Sequence, residues 1–389
     1  MILNLESSKY NNGLELKRKH LYYIAFIKFL SMIIIIKWHI IKWEKKPVDF
    51  GARMCEILFV SSGFLVGYNH YKKLMPSTFQ QSFKYAYKSM RTFYPLEILN
   101  LILNIILNEK FKIRKINLTT IEILISNIFI IKSWSRYKFI YFSFNGISWF
   151  LSSLLFCYFM TPFLLIGIRN IKISFILFFI IALIRIGIEE FVKHGALNIF
   201  DFKFHVGPII RCMEFYLGML ISPLFFYFKI YLDNKDNKIL FKFLFTLEQI
   251  VLPIIVYYLM NKYDRIIHRC YFVLIFCAFL FIIGFDYGCI SDIFSMKIIQ
   301  KIMSYQMEMY LFHLTVNKLI LKIVLTTKIK FMINLELKFF LKLIIIFIFA
   351  FLYKTLIKEK FANFMDKIID FFKYIFNSNN QKFYEQIKT

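Results

Sequence analysis

The chain has 389 residues, 59% of them hydrophobic, and a formal net charge of +26 at pH 7. A soluble domain is only about 45–50% apolar, and apolar runs of membrane length recur along the whole chain. The composition therefore excludes a soluble globular protein and predicts an all-α polytopic integral membrane protein. On a soluble protein this charge would indicate nucleic acid. Here it lies mostly in short loops beside apolar spans, which indicates contact with anionic membrane lipids and no nucleic-acid partner.

Ten apolar stretches are predicted to cross the bilayer. They lie at about 21–42, 54–70, 93–108, 147–168, 173–188, 207–228, 242–260, 270–286, 302–323 and 337–356. An eleventh stretch, 119–131, contains Glu122 and Asn127 and is shorter than the ~17 residues that a crossing needs, so we expect a short re-entrant or interfacial helix there. Lys and Arg are then more numerous on the side of the two termini than on the other side. The positive-inside rule therefore favours cytoplasmic termini.

The order of these stretches divides the chain into three parts. We expect a cytoplasmic N-terminal tail at 1–20, one membrane domain at 21–356 and a basic cytoplasmic C-terminal tail at 357–389. The first apolar run follows Lys17-Arg18-Lys19 and lacks a small-residue cleavage site, so it is interpreted as a retained span and not a signal peptide. The six cysteines are scattered and form no Cys-x-x-Cys or Cys/His cluster, so no metal site and no disulfide framework are predicted.

The first span carries two ionisable residues, Lys28 and His39, eleven positions apart. Eleven helical steps of about 100° end within about 20° of three full turns, about 16 Å further along the axis. Lys28 and His39 therefore lie on one stripe of one helix. An ionisable group inside a membrane is costly, so this stripe is a functional hypothesis by default.

The second span contains Ser61, Ser62 and Gly63 within an apolar run. Small residues of this kind allow two helix backbones to approach closely, and their hydroxyl groups can form hydrogen bonds between helices. The sequence leaves two interpretations open. The three residues serve helix packing, or the two serines contribute hydrogen bonds to a site.

The basic segment after the second span ends in Lys88-x-x-Arg91, followed by Tyr94-Pro95. Two cations three residues apart lie on one helical face. Arg is suited to bidentate contact with phosphate, so the pair is a candidate clamp for a phosphorylated cofactor. The alternative is an anchor that only helps to set topology.

Two later spans carry further polar residues. Arg211, Glu214 and Gly218 fall on one face of their helix and indicate a tightly packed internal polar site. An intramembrane Arg–Glu pair is either structural or functional, and the sequence does not decide between them. Tyr310 and His313 share a polar stripe, for which the alternative is a histidine that only binds a backbone carbonyl.

In this order, the motifs resemble those of acyltransferase family 3, the bacterial surface-glycan O-acyltransferases. The resemblance covers about 20–320. The motifs that carry it are Lys28 with ten residues before His39, Phe59-Val-Ser-Ser-Gly-Phe64, Lys88-x-x-Arg91 with Tyr94-Pro95, Ser148-Trp-Phe-Leu151, Arg211-x-x-Glu-Phe-x-x-Gly218, and Ser304-Tyr305 leading to Tyr310-Leu-Phe-His313. Each fragment alone is weak, whereas six in this order and spacing are fairly specific.

The resemblance implies a ten-helix domain of the bacterial inner membrane. It would move an acyl group, usually acetyl from acetyl-CoA, to a hydroxyl of a surface glycan or lipid-linked saccharide. Acyl-CoA would then be a co-substrate, with no resident cofactor. The resemblance further implies that His39 is catalytic and that cytoplasmic basic residues bind CoA.

On this basis we expect His39 to act as general base, or alternatively to carry the acyl group itself. Lys28 would assist it, and Lys88, Arg91 and Arg211 would serve the acyl donor. Residues expected to support the site are Ser61, Ser62, Gly63, Trp149, Glu214, Tyr305, Tyr310 and His313.

The sequence departs from the family pattern at three positions. Lys28 and Lys88 stand where Arg is usual, which keeps the charge but not the bidentate fork. Leu154 stands where many members have Glu.

Two other functions remain open at this point. Ten spans with intramembrane charges also fit a flippase or solute transporter, although no internal repeat relates the two halves of the chain. The third possibility is an inactive regulator built on the same scaffold.

Overall fold

The computed structural model describes part of the chain in detail. The described residues are 20–41, 50–73, 75–107, 118–193, 203–233, 238–263, 269–327, 335–361, 363–364 and 366–367. Across these ranges the backbone forms helices and turns and no strand, which confirms the predicted all-α class. The N-terminal tail up to residue 19 and the C-terminal tail from residue 368 lie outside the described residues.

The helices follow one another with short connections. In chain order they are α1 (Tyr22–Ile41), α2 (Phe50–His70), α3 (Phe79–Met90), α4 (Tyr94–Leu107), α5 (Leu118–Ile128), α6 (Lys138–Tyr141), α7 (Trp149–Leu164), α8 (Ile171–Lys193), α9 (Lys203–Val206), α10 (Pro208–Asp233), α11 (Lys238–Tyr263), α12 (Arg269–Ile283), α13 (Cys289–Ser295), α14 (Lys297–Met303), α15 (Gln306–Thr327) and α16 (Leu335–Leu352). Short 3-10 turns at Lys132–Trp134 and Leu165–Ile168 and a π turn at Tyr353–Ile357 complete the order.

By length and apolar composition, seven of the described helices could cross a membrane, and the bent pair α3–α4 would make an eighth. This establishes a polytopic membrane protein. The predicted count of ten also included α12, which has 15 residues, and the more polar α15, which has 22; that count stays a prediction. Helix α5 has 11 residues, about 16 Å, which is too short to cross a hydrocarbon core of about 30 Å.

Helices α2 and α10 are in close contact, and this contact depends on glycine. A Cβ atom built on Gly63 would lie 1.7 Å from the carbonyl oxygen of Phe215, and one built on Gly218 would lie 2.0 Å from that of Val60. Only a residue without a Cβ fits at either position. The prediction of close backbone approach at Gly63 is thus confirmed.

The basic segment before the third predicted span is largely helical. Helix α3 begins at the N-cap residue Thr78, whose hydroxyl accepts a hydrogen bond from the Gln81 amide at 3.2 Å. Phe79 and Phe83 are exposed apolar side chains on it, beside the ring of Phe159 on α7. The chain then bends by 62° into α4. An exposed aromatic face beside lysines is typical of a helix at the membrane surface.

The start of α1 is held by Asp286. Its carboxylate accepts hydrogen bonds from the backbone amides of Tyr22 at 2.6 Å and Tyr23 at 3.0 Å. The Ser291 hydroxyl donates a third bond at 2.7 Å. A carboxylate at the first amides of a helix satisfies orphan donors and suits the helix dipole. This contact anchors the helix that carries Lys28 and His39.

Candidate active site

His39 lines a cavity beside α1 with a volume of about 830 Å³. The other residues that line it are Ile35, Trp38, Gly51, Ala52, Cys55, Phe142, Phe144, Gly146, Ile147, Trp149, His205, Tyr310, Leu314, Asn317, Lys318 and Leu321. A cleft of this size, mostly apolar with a few polar groups, is typical of a site for a small ligand. We call it the His39 cavity.

Lys28, at the other end of the stripe, lines a smaller cavity of about 110 Å³. The other residues that line it are Met32, Leu58, Ser62, Phe93, Phe150, Leu154, Tyr158, Gln306, Met307 and Tyr310. No carboxylate among the described residues forms an ion pair with Lys28, and Leu154 contributes an apolar side chain to the wall. We call it the Lys28 cavity.

Tyr310 belongs to the walls of both cavities. It is buried in α15, and its hydroxyl lies 3.5 Å from the carbonyl oxygen of Ile147. Its ring meets that of Phe150 edge to face at 5.3 Å. The predicted stripe of Lys28 and His39 therefore borders two cavities that have Tyr310 in common.

His39 lies against a second histidine, His313. The two ring centroids are 5.1 Å apart. His313 is buried, and its Nδ1 lies 2.5 Å from the carbonyl oxygen of Tyr310, which as an acceptor requires the proton on Nδ1. In the part of the chain that the structure describes, Nε2 of His313 has no hydrogen-bond partner. The carbonyl contact thus sets the tautomer of His313 and leaves Nε2 as a hydrogen-bond acceptor on the side of the ring away from Tyr310.

One wall of the His39 cavity is a loop whose three successive carbonyls bind lysines. Lys132 donates to the carbonyl oxygens of Ser143 at 3.0 Å and Asn145 at 2.8 Å, and Lys318 donates to that of Phe144 at 2.5 Å. Phe144 has a φ of +49°, a conformation that is uncommon for a bulky residue. The two ammonium groups therefore hold a strained loop in place immediately before Trp149.

Lys132 is buried although it lies outside the membrane-crossing helices. Its third bond goes to Asn127 Oδ1 at 3.1 Å, so all three donors have partners. Burial lowers the pKa of this ammonium, and the nearby Glu97 carboxylate opposes that shift. Sequence reasoning missed Lys132 and Lys318; the available signal was a lysine inside or beside an apolar run.

Arg211 does not line either cavity. It is fully buried, with bonds to Glu214 Oε2 at 2.6 Å and to the carbonyl oxygen of His205 at 2.8 Å. Its guanidinium also lies 5.6 Å from the ring centroid of Trp149. His205 and Trp149 both line the His39 cavity, so Arg211 and Glu214 support that wall from behind.

Further buried ion pairs extend this network. Glu214 also accepts from Arg185 at 3.4 Å, and Arg185 pairs with Glu189 at 3.2 Å. On α2, Arg53 and Glu56 pair at 3.1 Å, both buried. The pairs Arg185–Glu189 and Arg53–Glu56 were missed in the sequence, where their spacing of four and three residues within apolar spans was the available signal.

Lys88 and Arg91 are exposed at the C-terminal end of α3. Arg91 forms an ion pair with Asp366, and its Nε donates at 2.9 Å. The Tyr87 hydroxyl donates to the same carboxylate at 2.7 Å. Two residues beyond Arg91, Phe93 lines the Lys28 cavity. One of the two predicted phosphate-binding cations, Arg91, is thus paired with the carboxylate of Asp366.

Of the remaining predicted residues, Ser62 lines a cavity, whereas Ser61, Gly63 and Tyr305 line neither cavity. Ser62 lines the Lys28 cavity. Ser61 donates to the carbonyl oxygen of Leu58 at 3.1 Å within its own helix, and Gly63 provides the contact with α10. Tyr305 packs beneath the Lys354 ammonium, 4.4 Å from its ring centroid, and lines neither cavity. The catalytic and supporting roles of all these residues stay predictions.

Comparison with known protein families identifies the family of this chain. The family model described as an acyltransferase domain matches residues 21–358, nearly the whole chain. No curated protein and no solved structure matched the chain. A match of this extent establishes membership, and it agrees with the resemblance found in the motifs. The chain belongs to acyltransferase family 3 and is a membrane acyltransferase.

Proposed function

We propose that this protein transfers an acyl group, acetyl in the first instance, from acyl-CoA to a hydroxyl of a cell-surface carbohydrate. The observation that carries the proposal is the single stripe of Lys28 and His39, which opens onto two cavities that share Tyr310. Two substrates that must meet at one reacting atom need two adjoining compartments. A flippase or solute carrier would not need a histidine in the wall of one of two such compartments.

The Lys28 cavity fits the acyl donor. Its walls are mostly apolar, and about 110 Å³ is the space of only three or four water molecules at ~30 Å³ each. That size favours a short acyl group such as acetyl. The CoA phosphates would lie outside, at the exposed Lys88 and Arg91, because phosphate contact suits Arg and remains favourable at a surface.

The His39 cavity fits a saccharide acceptor. It is large enough for a sugar unit, and Trp38, Trp149 and Tyr310 present aromatic surface beside polar groups. Amphipathic aromatic side chains combine apolar contact with a polar edge. This arrangement suits a ring that has both apolar C–H faces and hydroxyl groups.

The proposed chemistry is general-base catalysis by His39. Its imidazole accepts the proton of the acceptor hydroxyl while the oxygen attacks the thioester carbonyl carbon. The carbon–sulfur bond then breaks, and the proton returns to the leaving thiolate of CoA. His313 would orient His39 from the side. In the alternative, the imidazole nitrogen attacks first, CoA leaves, and the acceptor hydroxyl takes the acyl group in a second step.

The same proposal orients the protein in the bacterial inner membrane. Acyl-CoA is a cytoplasmic metabolite, so the Lys28 end of α1 and both termini would face the cytoplasm. The His39 end would face the outer side, where an acceptor glycan or lipid-linked saccharide is assembled. Contacts with anionic lipid head groups would involve the basic loops.

The direct test is a transfer assay in membranes that carry the full chain. Radiolabelled acetyl-CoA is supplied with de-O-acylated surface glycan from cells that carry the gene, and both free CoA and labelled glycan are measured. We expect stoichiometric release of CoA and labelling of the glycan, and loss of both with His39→Ala. Uptake of glycan across the membrane without release of CoA would contradict the proposal.

A further inference from the structure

Lys318 is a cation in the wall of the His39 cavity without a compensating carboxylate. Its Nζ donates to two neutral oxygens, Asn104 Oδ1 at 2.7 Å and the carbonyl of Phe144 at 2.5 Å. An ammonium has three donors, so one remains. Among the described residues no carboxylate lies within ion-pair distance of Lys318, unlike the buried arginines of this membrane domain, which pair with glutamates.

Neighbouring groups add to the positive character of this wall. Asn317 also lines the cavity, and its Oδ1 accepts from Lys342 at 2.8 Å, which leaves its amide N–H groups as donors. Lys132 also lies near Lys318, but the nearby Glu97 carboxylate offsets the charge of Lys132. Among the described residues that line the cavity, the basic side chains are His39, His205 and Lys318, and none is Asp or Glu.

Lys318 is an exposed side chain whose ammonium group is held only by neutral oxygens, so it can form a charge-assisted hydrogen bond with a bound anion. We infer that the acceptor taken by the His39 cavity carries an acidic group, a carboxylate or a phosphate, which Lys318 binds beside the hydroxyl that is acylated. The inference rests on the proposed function, because it names the class of acceptor for the same cavity. It makes Lys318 a specificity determinant for acidic glycans.

Lys318 also holds the loop at Phe144, so loss of activity after its substitution would not by itself identify a binding role. A role confined to the loop would lower transfer to every acceptor equally. A role in binding the acidic group changes the ratio between charged and neutral acceptors. The ratio is therefore the quantity to measure.

The experiment compares three preparations of the same de-O-acylated glycan in membranes that carry the full chain. One is untreated, one has its carboxylates reduced to alcohols, and one has its phosphodiesters removed by hydrofluoric acid. Transfer of labelled acetyl is measured with the unsubstituted protein and with Lys318→Met and Lys318→Arg. Lys322→Met, an exposed lysine on the same helix that does not line the cavity, is the matched control.

We expect one of the two treatments to raise the KM for glycan by up to about fivefold, as loss of an exposed charge contact does. The treatment that does so identifies carboxylate or phosphate. Lys318→Met should raise the KM for untreated glycan by a similar factor and abolish the difference between preparations, whereas Lys318→Arg and Lys322→Met should retain it. The KM for acetyl-CoA should be unchanged in all.

Equal transfer to all three preparations would overturn the inference while leaving the proposed function intact. An unchanged preference for the charged glycan in Lys318→Met would also overturn the assignment to this residue. Absence of labelled glycan and of released CoA with every preparation would instead contradict the proposed function, and the inference with it.

Discussion

His39 and His313 face each other with ring centroids 5.1 Å apart, although they are 274 positions apart in the chain. One lies on α1 and the other on α15, and only His39 lines the larger cavity. His313 is fixed through its Nδ1 by the carbonyl oxygen of Tyr310. His313 thus has a fixed orientation, and His39 is placed to contact substrate in the cavity.

The first prediction concerns His39. We expect His39→Ala to lower acyl transfer by about a hundredfold or more, because a positioned base contributes about 10²–10⁴ to the rate. Transfer is measured with labelled acetyl-CoA in membranes. His20→Ala, at an exposed position before α1, should leave activity unchanged. Full activity in the His39 variant, with normal membrane insertion, would contradict the assignment.

A separate prediction distinguishes the two proposed chemistries of His39. If the imidazole is acylated, the protein should retain one equivalent of label when acetyl-CoA is supplied without acceptor. With a general base we expect no retained label above that of His39→Ala. Rapid quench followed by mass determination of the purified protein measures it.

His313 is predicted to be a positioning residue. We expect His313→Ala to lower kcat about tenfold with little change in the KM of either substrate, because His313 lines neither cavity but contacts His39. The pH profile of kcat should shift as well, since the loss removes an ionisable neighbour of His39. An altered KM for the acceptor with unchanged kcat and pH profile would contradict this role.

The ion pair between Arg91 and Asp366 makes a prediction for the donor site. Lys88→Ala with Arg91→Ala should raise the KM for acetyl-CoA, because two phosphate-binding cations are lost. Asp366→Asn should lower that KM by a few-fold, because it removes a carboxylate that competes with phosphate for Arg91. Lys172→Ala, an exposed lysine at the start of α8, is the control. Unchanged saturation by acetyl-CoA in the double variant would exclude this dock.

The contact between α2 and α10 makes a prediction for stability. Gly63→Ala should lower the unfolding temperature in detergent, because its Cβ would lie 1.7 Å from the carbonyl oxygen of Phe215, and such overpacking costs about 1–3 kcal/mol or more. Gly187→Ala is the matched control, because nothing lies within 4 Å of its Cβ. It should be neutral or stabilising, by up to about 1 kcal/mol for Gly→Ala in a helix.

The sequence by itself determined the class of the protein, its family and the stripe of α1. Apolar runs of membrane length admit only helices, because the bilayer core leaves no water for unpaired backbone groups. Helical periodicity then places Lys28 and His39 on one side. The small-residue motif at Gly63 likewise predicted a close helix contact, which the structure confirms.

Only the tertiary structure decided what the stripe faces. Periodicity acts within one helix and carries no information about which distant helix supplies a neighbour, so the approach of His313 to His39 was not predictable. For the same reason Arg211, expected beside the donor, lies behind the wall of the larger cavity, and Lys318 became a candidate only when the loop at Phe144 was placed. Side chains far apart in the chain meet through packing, and packing depends on the shapes of all the helices at once.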